Sequence, residues 1–226
     1  MHLHHEKKQL IRLIFHGNPL YLDGRGCIYW PQKKSLIISD LHLGKARAFD
    51  QHGFNLPDYE ADETLAKLQT LLAEYQPTRL ILLGDSFHTT SSWDELSIKQ
   101  KNKLSSITQA IPECIWILGN HDPNIPRSLV GLRKQQLSYE NIILTHDYLV
   151  EQRPQIIGHF HPKTKVSLGR KTIRCSCFIQ TKNTLILPAF GSFTGGLDIE
   201  SSDFKNMFQP QETYLCFKNK IWFNPQ

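Results

Sequence analysis

The sequence has 226 residues, of which 40% are hydrophobic and 21% are charged. These proportions are typical of a globular protein and exclude a disordered chain, and the length suffices for one substantial hydrophobic core. The formal charge of +5 suits a polyanionic partner such as nucleic acid, although only a clustered patch would establish one.

In the N-terminal part of the chain, we expect a segment that is not cleaved as a signal peptide, followed by antiparallel strands. Residues 1–15 contain basic residues but no small-residue cleavage site, so we interpret them as mature protein and expect a cytoplasmic location. No apolar run approaches the ~18–20 residues of a membrane span, so no association with a membrane is expected. Residues 18–32 predict a β-hairpin whose turn is formed by residues 23–26.

Five short apolar runs follow, and each has the length of a strand that is buried on both faces. They cover residues 35–42, 79–88, 114–122, 141–147 and 155–161. Between the first two runs, leucines at helical spacing predict a helix with Asp58 as its N-cap and Pro77 as its stop. A looser stripe predicts a second helix within residues 93–112. This alternation indicates parallel strands in an α/β sheet that is covered by helices.

The C-terminal part of the chain predicts antiparallel strands. Residues 165–193 have the pattern of a β-meander with turns near residues 168–169 and 182–183, and residues 213–217 and 220–224 predict a final strand pair. Added to the parallel strands, they give two mixed sheets flanked by helices. Without an internal repeat or a long linker, residues 1–226 are expected to form a single domain of the α/β class.

Every one of the five apolar runs ends in side chains of the kind that bind metal ions. If the runs are neighbouring strands, these side chains meet at the carboxyl ends of the strands, where ligands bind in parallel sheets. The set consists of Asp40, His42, Asp85, His88, Asn120, His121, Asp122, His146, His159 and His161. Oxygen and imidazole donors without thiolates suit two divalent ions (manganese, iron or zinc) better than a structural zinc site. Burying so many ionisable groups without metal would be costly.

The five cysteines have a different interpretation. Cys175 and Cys177 are separated by one residue, and their side chains would share one face of a strand. An odd number of cysteines without C-x-x-C pairs favours small buried residues in a reducing compartment over a disulfide or a zinc site.

The order of these motifs resembles that of the calcineurin-like metallophosphoesterase superfamily. The motifs are D-x-H at 40–42, G-D-x-x-H at 84–88, G-N-H-D at 119–122, a single histidine at 146 and G-H-x-H at 158–161. Within the superfamily, "DLHLGKA", "GHFHP" and "LPAFGSFTGGL" are similar to the ligase-associated DNA damage response endonucleases. The resemblance covers residues 19–197 and implies a four-layer α/β-β/β sandwich.

The resemblance also implies roles for the individual residues. One metal ion would be held by Asp40, His42, Asp85 and His161, and the second by Asp85, Asn120, His146 and His159. His121 would contact the scissile phosphate and protonate the leaving oxygen. His88 replaces the second aspartate that many phosphoesterases have, and a histidine there is typical of a repair nuclease in the superfamily, which favours a nucleic-acid diester.

Several residues near these motifs keep two interpretations. Asp122 either orients His121 or caps the following turn, and Asp147 either supports the metal site or is solvated. Lys45 and Arg47 either contact substrate phosphates or are solvated loop charges. Residues 191–196 either offer backbone N–H groups to a phosphate or form a tight structural turn.

The resemblance favours a manganese-dependent DNA endonuclease that acts in DNA repair with a DNA ligase, an exonuclease and a helicase. These partners follow from the resemblance alone. A small-molecule phosphoesterase that acts on nucleotides or cyclic nucleotides would share the whole metal site, so the ligands cannot separate the two enzymes. A non-enzymatic scaffold is disfavoured because every ligand position is filled.

Overall fold

Two β-sheets face each other in the computed structural model, which describes residues 9–46, 59–168, 171–192 and 194–225. The first sheet follows the order of the chain from β1 to β7. Its strands are β1 (Leu10–Phe15), β2 (Asn18–Asp23), β3 (Cys27–Trp30), β4 (Ser35–Ile38), β5 (Arg79–Leu83), β6 (Glu113–Ile117) and β7 (Leu132–Lys134). Strands β1 to β4 pair antiparallel, and β4 to β7 pair parallel.

The second sheet has the order β15-β14-β12-β13-β10-β9-β8, and β11 pairs only with β12. Its strands are β8 (Gln136–Tyr139), β9 (Ile142–Thr145), β10 (Gln155–Ile157), β11 (Lys163–Leu168), β12 (Lys171–Gln180), β13 (Thr184–Ile186), β14 (Glu212–Phe217) and β15 (Lys220–Pro225). Strands β9, β10 and β13 are parallel, and the remaining pairs are antiparallel.

Helices cover the outer faces of both sheets. They are α1 (Glu60–Tyr75), α2 (Ser92–Glu95), α3 (Ile98–Ala110) and α4 (Ser202–Met207). Leucines of α1 and α3 pack on β4 and β5 in one hydrophobic cluster, and Phe204 of α4 packs on the second sheet in another. A third cluster, which includes Ile81 and Phe178, lies between the sheets. Four layers therefore enclose three hydrophobic cores, and the predicted sandwich is confirmed.

All five predicted apolar runs are strands, but they do not lie side by side in one sheet. The first three form β4, β5 and β6 in the first sheet, and the last two form β9 and β10 in the second. The chain changes sheets through β7 and β8, two short edge strands that are largely exposed. Because neither strand has a buried alternating face, neither was predicted. Strand β1 was not predicted either.

The helix predictions hold in part. α1 ends where Gln76 adopts a left-handed conformation just before Pro77, as expected, while its predicted cap, Asp58, lies outside the described residues. The second predicted helix is wrong as a single element because it divides into α2 and α3. Ser97 starts α3 with a capping box: its Oγ accepts from the N–H of Gln100, and the Gln100 side chain accepts from the N–H of Ser97.

The predicted hairpin, the turn at 182–183 and the final strand pair are confirmed.

Two other features of the described chain concern cysteines and membranes. All five cysteine thiols are free and buried, and Cys175 and Cys177 share the outer face of the second sheet, as predicted. No described helix combines the length and the apolar character that crossing a bilayer requires.

A buried ion pair ties the end of β2 to helix α1. Asp23 is fully buried, and its carboxylate accepts hydrogen bonds from the backbone N–H of Arg25 at 2.8 Å and from the Nη2 of Arg25 at 2.6 Å. The hydroxyl of Tyr75, on the last turn of α1, donates to the same carboxylate at 2.7 Å. Glu74 adds a second partner for Arg25 from the half-exposed surface of the helix.

We expect Asp23→Ala to lower the free energy of unfolding by about 3–5 kcal/mol, because it leaves the buried guanidinium of Arg25 without its main counter-charge. The matched change Glu74→Ala removes a carboxylate that is 48% exposed and should cost less than about 1 kcal/mol. Urea denaturation followed by circular dichroism measures both values. Equal losses in the two variants would contradict this account of the network.

Candidate metal centre

The predicted ligands converge at the carboxyl ends of the parallel strands of both sheets. Loops after β4, β5 and β6 bring side chains from the first sheet, and loops after β9 and β10 bring side chains from the second. The structure places together Asp40, His42, Asp85, Asn120, His146, His159 and His161, with His88 and His121 beside them. Two separate groups of ligand-type atoms form within this set.

The first group consists of Asp40, His42 and His161, whose ligand atoms all lie within 4.8 Å of one another. The Nε2 atoms of His42 and His161 are 3.2 Å apart, and the Nε2 of His161 is 3.1 Å from the Oδ1 of Asp40. The other carboxylate oxygen of Asp40 accepts hydrogen bonds from the hydroxyl of Ser39 and from the backbone N–H of His159. Ser39 was not identified from the sequence, because a serine before an aspartate carries no distinctive signal.

The second group consists of Asp85, His146 and His159, whose ligand atoms also lie within 4.8 Å of one another. The Nε2 of His146 is at its centre: it lies 3.0 Å from the Oδ1 of Asn120, 3.2 Å from the Nδ1 of His159 and 3.3 Å from the Oδ2 of Asp85. The side chain of His146 is buried, whereas Asn120 is exposed on the open side of the site.

Asp85 lies between the two groups. Its Oδ2 is 3.3 Å from His146 in the second group and 3.9 Å from the Nε2 of His42 in the first. Its Oδ1 accepts a hydrogen bond from the backbone N–H of His121 at 2.9 Å. The geometry therefore favours Oδ2 as the atom that both groups share.

These side chains fit a pair of divalent cations. The Oδ1 of Asp40 is buried and lacks a hydrogen bond of good geometry, although the Nε2 of His161 lies 3.1 Å away and buried polar atoms normally have a partner. His146 donates its Nδ1–H to the carbonyl of Leu83 at 3.1 Å, which leaves the lone pair of Nε2 for a metal ion. Burial disfavours a charge on His146, yet Asp85 and Asp40 raise its pKa to about 9. The site therefore requires positive charge, which cations would supply.

The backbone of the site is strained in a consistent way. The positions with left-handed conformations include Asp40, His42, Asp85, His159 and His161, with φ between 44° and 66°. Such a conformation costs a residue other than glycine of order 1–3 kcal/mol and persists only where the surrounding structure enforces it. Because five of the seven proposed ligands are affected, the strain is a property of the site as a whole.

Two glycines allow the loops to approach each other. Gly84 has a φ of 80°, and a Cβ there would lie 2.2 Å from the Nδ1 of His146. A Cβ on Gly158 would lie 1.8 Å from the Oγ of Ser39. A side chain at either position would therefore displace groups that hold the proposed ligands.

His121 and His88 stack on the open side of the site, with ring centroids 5.5 Å apart. His121 donates its Nδ1–H to the backbone carbonyl of His88 at 2.8 Å, so its Nε2 remains available and lies 3.9 Å from the Oδ2 of Asp85. Burial, together with the charges of Lys45 and His121, lowers the pKa of His88 to about 4, so its ring is neutral near pH 7. The Nδ1 of His88 lies 3.5 Å from the Nδ1 of His42.

Asp122 supports the loops of the site and does not orient the ring of His121. Its buried carboxylate accepts hydrogen bonds from the backbone N–H groups of Ser86 at 2.6 Å, Phe87 at 3.1 Å and Gly119 at 3.0 Å. These bonds join the loop after β5 to the loop after β6. Asp147, in contrast, is exposed, and its carboxylate accepts from the N–H of the adjacent Tyr148.

Cations lie beside the first group. Lys45 is half-buried in the loop after His42, whereas Arg47 lies outside the described residues. Two cations that the sequence did not single out follow His161 in the chain. Lys163 donates to the carbonyl of Thr194 at 2.6 Å, and Arg174 donates to the carbonyl of Gly196 at 2.6 Å.

The segment 191–196 uses its first amides internally. Gly191 donates to the carbonyl of Asp40 at 3.0 Å, and Ser192 donates to the hydroxyl of Thr64 at 3.1 Å. These two N–H groups therefore hold the segment against the site and are not available to a phosphate, which agrees with a structural turn at this end of the segment.

We expect Asp122→Asn to weaken manganese binding by about 10–100-fold, because an amide cannot accept all three backbone hydrogen bonds that fix the ligand loops. Calorimetric titration of the purified protein with Mn²⁺ measures the affinity. The matched change Asp147→Asn removes an exposed carboxylate of the same size and should leave the affinity unchanged. Similar affinities in the two variants would show that the loop contacts of Asp122 do not support the metal site.

Comparisons with known proteins identify the family of this chain. The family model described as calcineurin-like phosphoesterase matches residues 33–220. The structure is similar to that of the nuclease MPE from Pseudomonas putida, with a TM-score of 0.75 and 28% sequence identity over 95% of this chain and 100% of that chain. The phosphoesterase Yfce from E. coli gives a TM-score of 0.36 and 14% identity over 83% of this chain and 90% of that chain. A comparison with curated proteins gave no match. The chain belongs to the calcineurin-like phosphoesterase family, whose members use a dinuclear metal centre, and it is a metal-dependent phosphoesterase.

Proposed function

We propose that this protein is a two-metal phosphodiesterase that cleaves DNA. The observation that carries the proposal is the position of Asp85 between two ligand groups, with His121 on the open side of the same site. The similarity to a nuclease over nearly the whole chain supports a nucleic-acid substrate. The alternative, a small-molecule phosphoesterase, is an outcome of the substrate test below.

The two groups define which residues would hold the metal ions. In our proposal, Asp40, His42 and His161 would hold one ion, Asn120, His146 and His159 would hold the other, and Asp85 would contribute to both. When bound, two divalent cations supply positive charge that activates a water molecule and stabilises the charge that develops on the phosphate. The oxygen and imidazole donors suit manganese, and iron and zinc are compatible with the same set.

His121 is placed to act as the general acid. Hydrolysis forms one P–O bond to the oxygen of water and breaks the P–O bond to the leaving oxygen, which requires a proton. Because the Nδ1–H of His121 is engaged by the carbonyl of His88, Nε2 carries the transferable proton when the ring is charged. The ring is 42% exposed, so a substrate phosphate can reach it. His88 assists by fixing this orientation.

The remaining assignments extend the proposal to the protein in the cell. We assign residues 1–226 to one domain, place the protein in the cytoplasm and assign it to DNA repair with a DNA ligase, an exonuclease and a helicase. These partners derive from the similarity of "DLHLGKA" and "LPAFGSFTGGL" to ligase-associated endonucleases. Lys45, which lies near the first ligand group, and Arg47 are proposed to contact substrate phosphates.

Substrate choice tests the nuclease assignment. With Mn²⁺, we expect the purified protein to nick supercoiled plasmid and to hydrolyse an aryl phosphodiester, and we expect a chelator to abolish both activities. Gel electrophoresis and absorbance measure the two reactions, with single-stranded DNA and a cyclic nucleotide as further substrates. The Asp85→Ala protein serves as the inactive control. Turnover of small phosphate esters without any cleavage of DNA would refute the nuclease assignment.

Loss of the general acid should separate metal binding from turnover. We expect His121→Ala to bind Mn²⁺ as the wild type does, yet to lose about 10²–10⁴-fold in kcat on DNA. The loss should be smaller on bis(p-nitrophenyl) phosphate, because p-nitrophenolate leaves without protonation. Calorimetry and steady-state kinetics supply the two measurements. If manganese affinity fell together with activity, or if both substrates lost equally, His121 would not be the proton donor.

A further inference from the structure

The hairpin formed by β11 and β12 begins two residues after His161 and has two chemically different faces. Residues that pair across the strands lie on the same face, and successive residues alternate between the faces. The pairs Val166 with Ile173 and Thr164 with Cys175 form one face. Val166 and Cys175 pack into the hydrophobic cluster that contains Phe204 of α4. This face is therefore covered by the protein itself.

The opposite face is cationic and open. Its cross-strand pairs are Lys163 with Ser176, Lys165 with Arg174 and Ser167 with Thr172. Lys165 is 68% exposed, and Arg174 is exposed as well. Three cations and several hydroxyl groups thus occupy one side of a single hairpin, which we call the basic face.

The basic face holds like charges opposite each other. Lys165 and Arg174 are directly paired across the two strands, an arrangement that destabilises a hairpin by itself. Asp198 lies 3.7 Å from Lys165 and balances one of the charges. Among the described residues, Lys163 and Arg174 form no ion pair with a carboxylate, and both donate to backbone carbonyls. The basic face therefore carries more positive charge than the carboxylate of Asp198 neutralises.

Contacts connect the basic face to the metal centre. Arg174 donates to the carbonyl of Gly196, and Gly196 packs so closely on His161 that a Cβ would lie 2.2 Å from the carbonyl oxygen of His161. Lys163 donates to the carbonyl of Thr194, which lies in the same segment, 191–196. At the start of this segment, the N–H of Gly191 donates a hydrogen bond to the backbone carbonyl of Asp40. The carbonyls hold these cations in place beside the proposed ligands.

We propose that the basic face binds backbone phosphates of the DNA strand outside the scissile phosphate and so aligns the strand with the metal centre. This inference rests on the proposed nuclease function. A small phosphodiester ends within the metal centre and has no second phosphate for a surface that begins beyond His161. A DNA strand carries phosphates at regular intervals, and fixed cations with hydroxyl donors are the groups that bind them without reading sequence.

The test removes two exposed charges and compares two substrates. We expect Lys165→Gln/Arg174→Gln to bind fluorescein-labelled duplex DNA more weakly and to show a salt dependence of binding reduced by about one unit of slope per lost contact. Cleavage of the same DNA should lose about tenfold or more in kcat/KM, mainly through a higher KM. Hydrolysis of bis(p-nitrophenyl) phosphate, with Mn²⁺ present, should keep its wild-type rate.

Two further variants control for charge and for folding. Lys34→Gln/Lys182→Gln removes two exposed lysines that lie before β4 and β13, at the opposite ends of the parallel strands, and should leave DNA binding at the wild-type level. Lys165→Arg/Arg174→Lys keeps both charges and should retain DNA cleavage.

The outcomes separate this inference from the proposed function. A wild type that cleaves DNA, with a Lys165→Gln/Arg174→Gln protein that cleaves it equally well, would overturn the role of the basic face alone. Equal losses on DNA and on the aryl diester would also overturn it, because the residues would then act on the metal centre. A wild type that hydrolyses the aryl diester but neither cleaves nor binds DNA would refute both.

Discussion

The burial of two neighbouring carboxylates is the constraint on which the rest of the structure depends. Asp40 and Asp85 are both buried, and their negative charges oppose each other at low dielectric. Burial disfavours a charge on His146, yet the two carboxylates raise its pKa to about 9, so that a proton on its ring offsets part of their negative charge. Metal ions would supply more charge and would free that proton. The surrounding fold must therefore hold the carboxylates together against their repulsion.

The two β-sheets hold these carboxylates together against their repulsion. Strands from both sheets end at the site, so each ligand loop is anchored in a packed core on one side and in hydrogen bonds on the other. Asp122 joins the loops after β5 and β6, and Gly158 brings the loop after β10 onto Ser39. Loops that are held from both sides in this way can keep Asp85 and His161 in left-handed conformations. A flexible loop would instead relax to a less strained conformation. Strain and rigidity are thus two aspects of the same arrangement.

Candidate ligands are easier to predict from the sequence than the arrangement of the strands. A short apolar run that ends in ligand-type residues is visible locally, which is why Asp40, Asn120 and His159 could be predicted to lie at one site. The division of the strands between two sheets could not be predicted from periodicity, because it is decided by β7 and β8, whose exposed residues carry no hydrophobic pattern. The role of Asp122 also stayed open, since its partners are backbone N–H groups more than thirty residues away as well as one nearby.

In our two proposals, chemistry and substrate choice reside in different parts of this architecture. The ligand groups are built from the carboxyl ends of parallel strands, and the same groups would serve a nucleotide, a cyclic nucleotide or a nucleic acid equally well. Selection among these diesters must therefore come from surfaces beyond the ligands. The hairpin of β11 and β12 leaves the parallel core directly after His161, so that the last proposed ligand and the first cation, Lys163, belong to one continuous segment. Because that segment is fixed at the candidate metal centre, a phosphate bound at Lys165 or Arg174 would be held in a defined direction from the proposed site of cleavage.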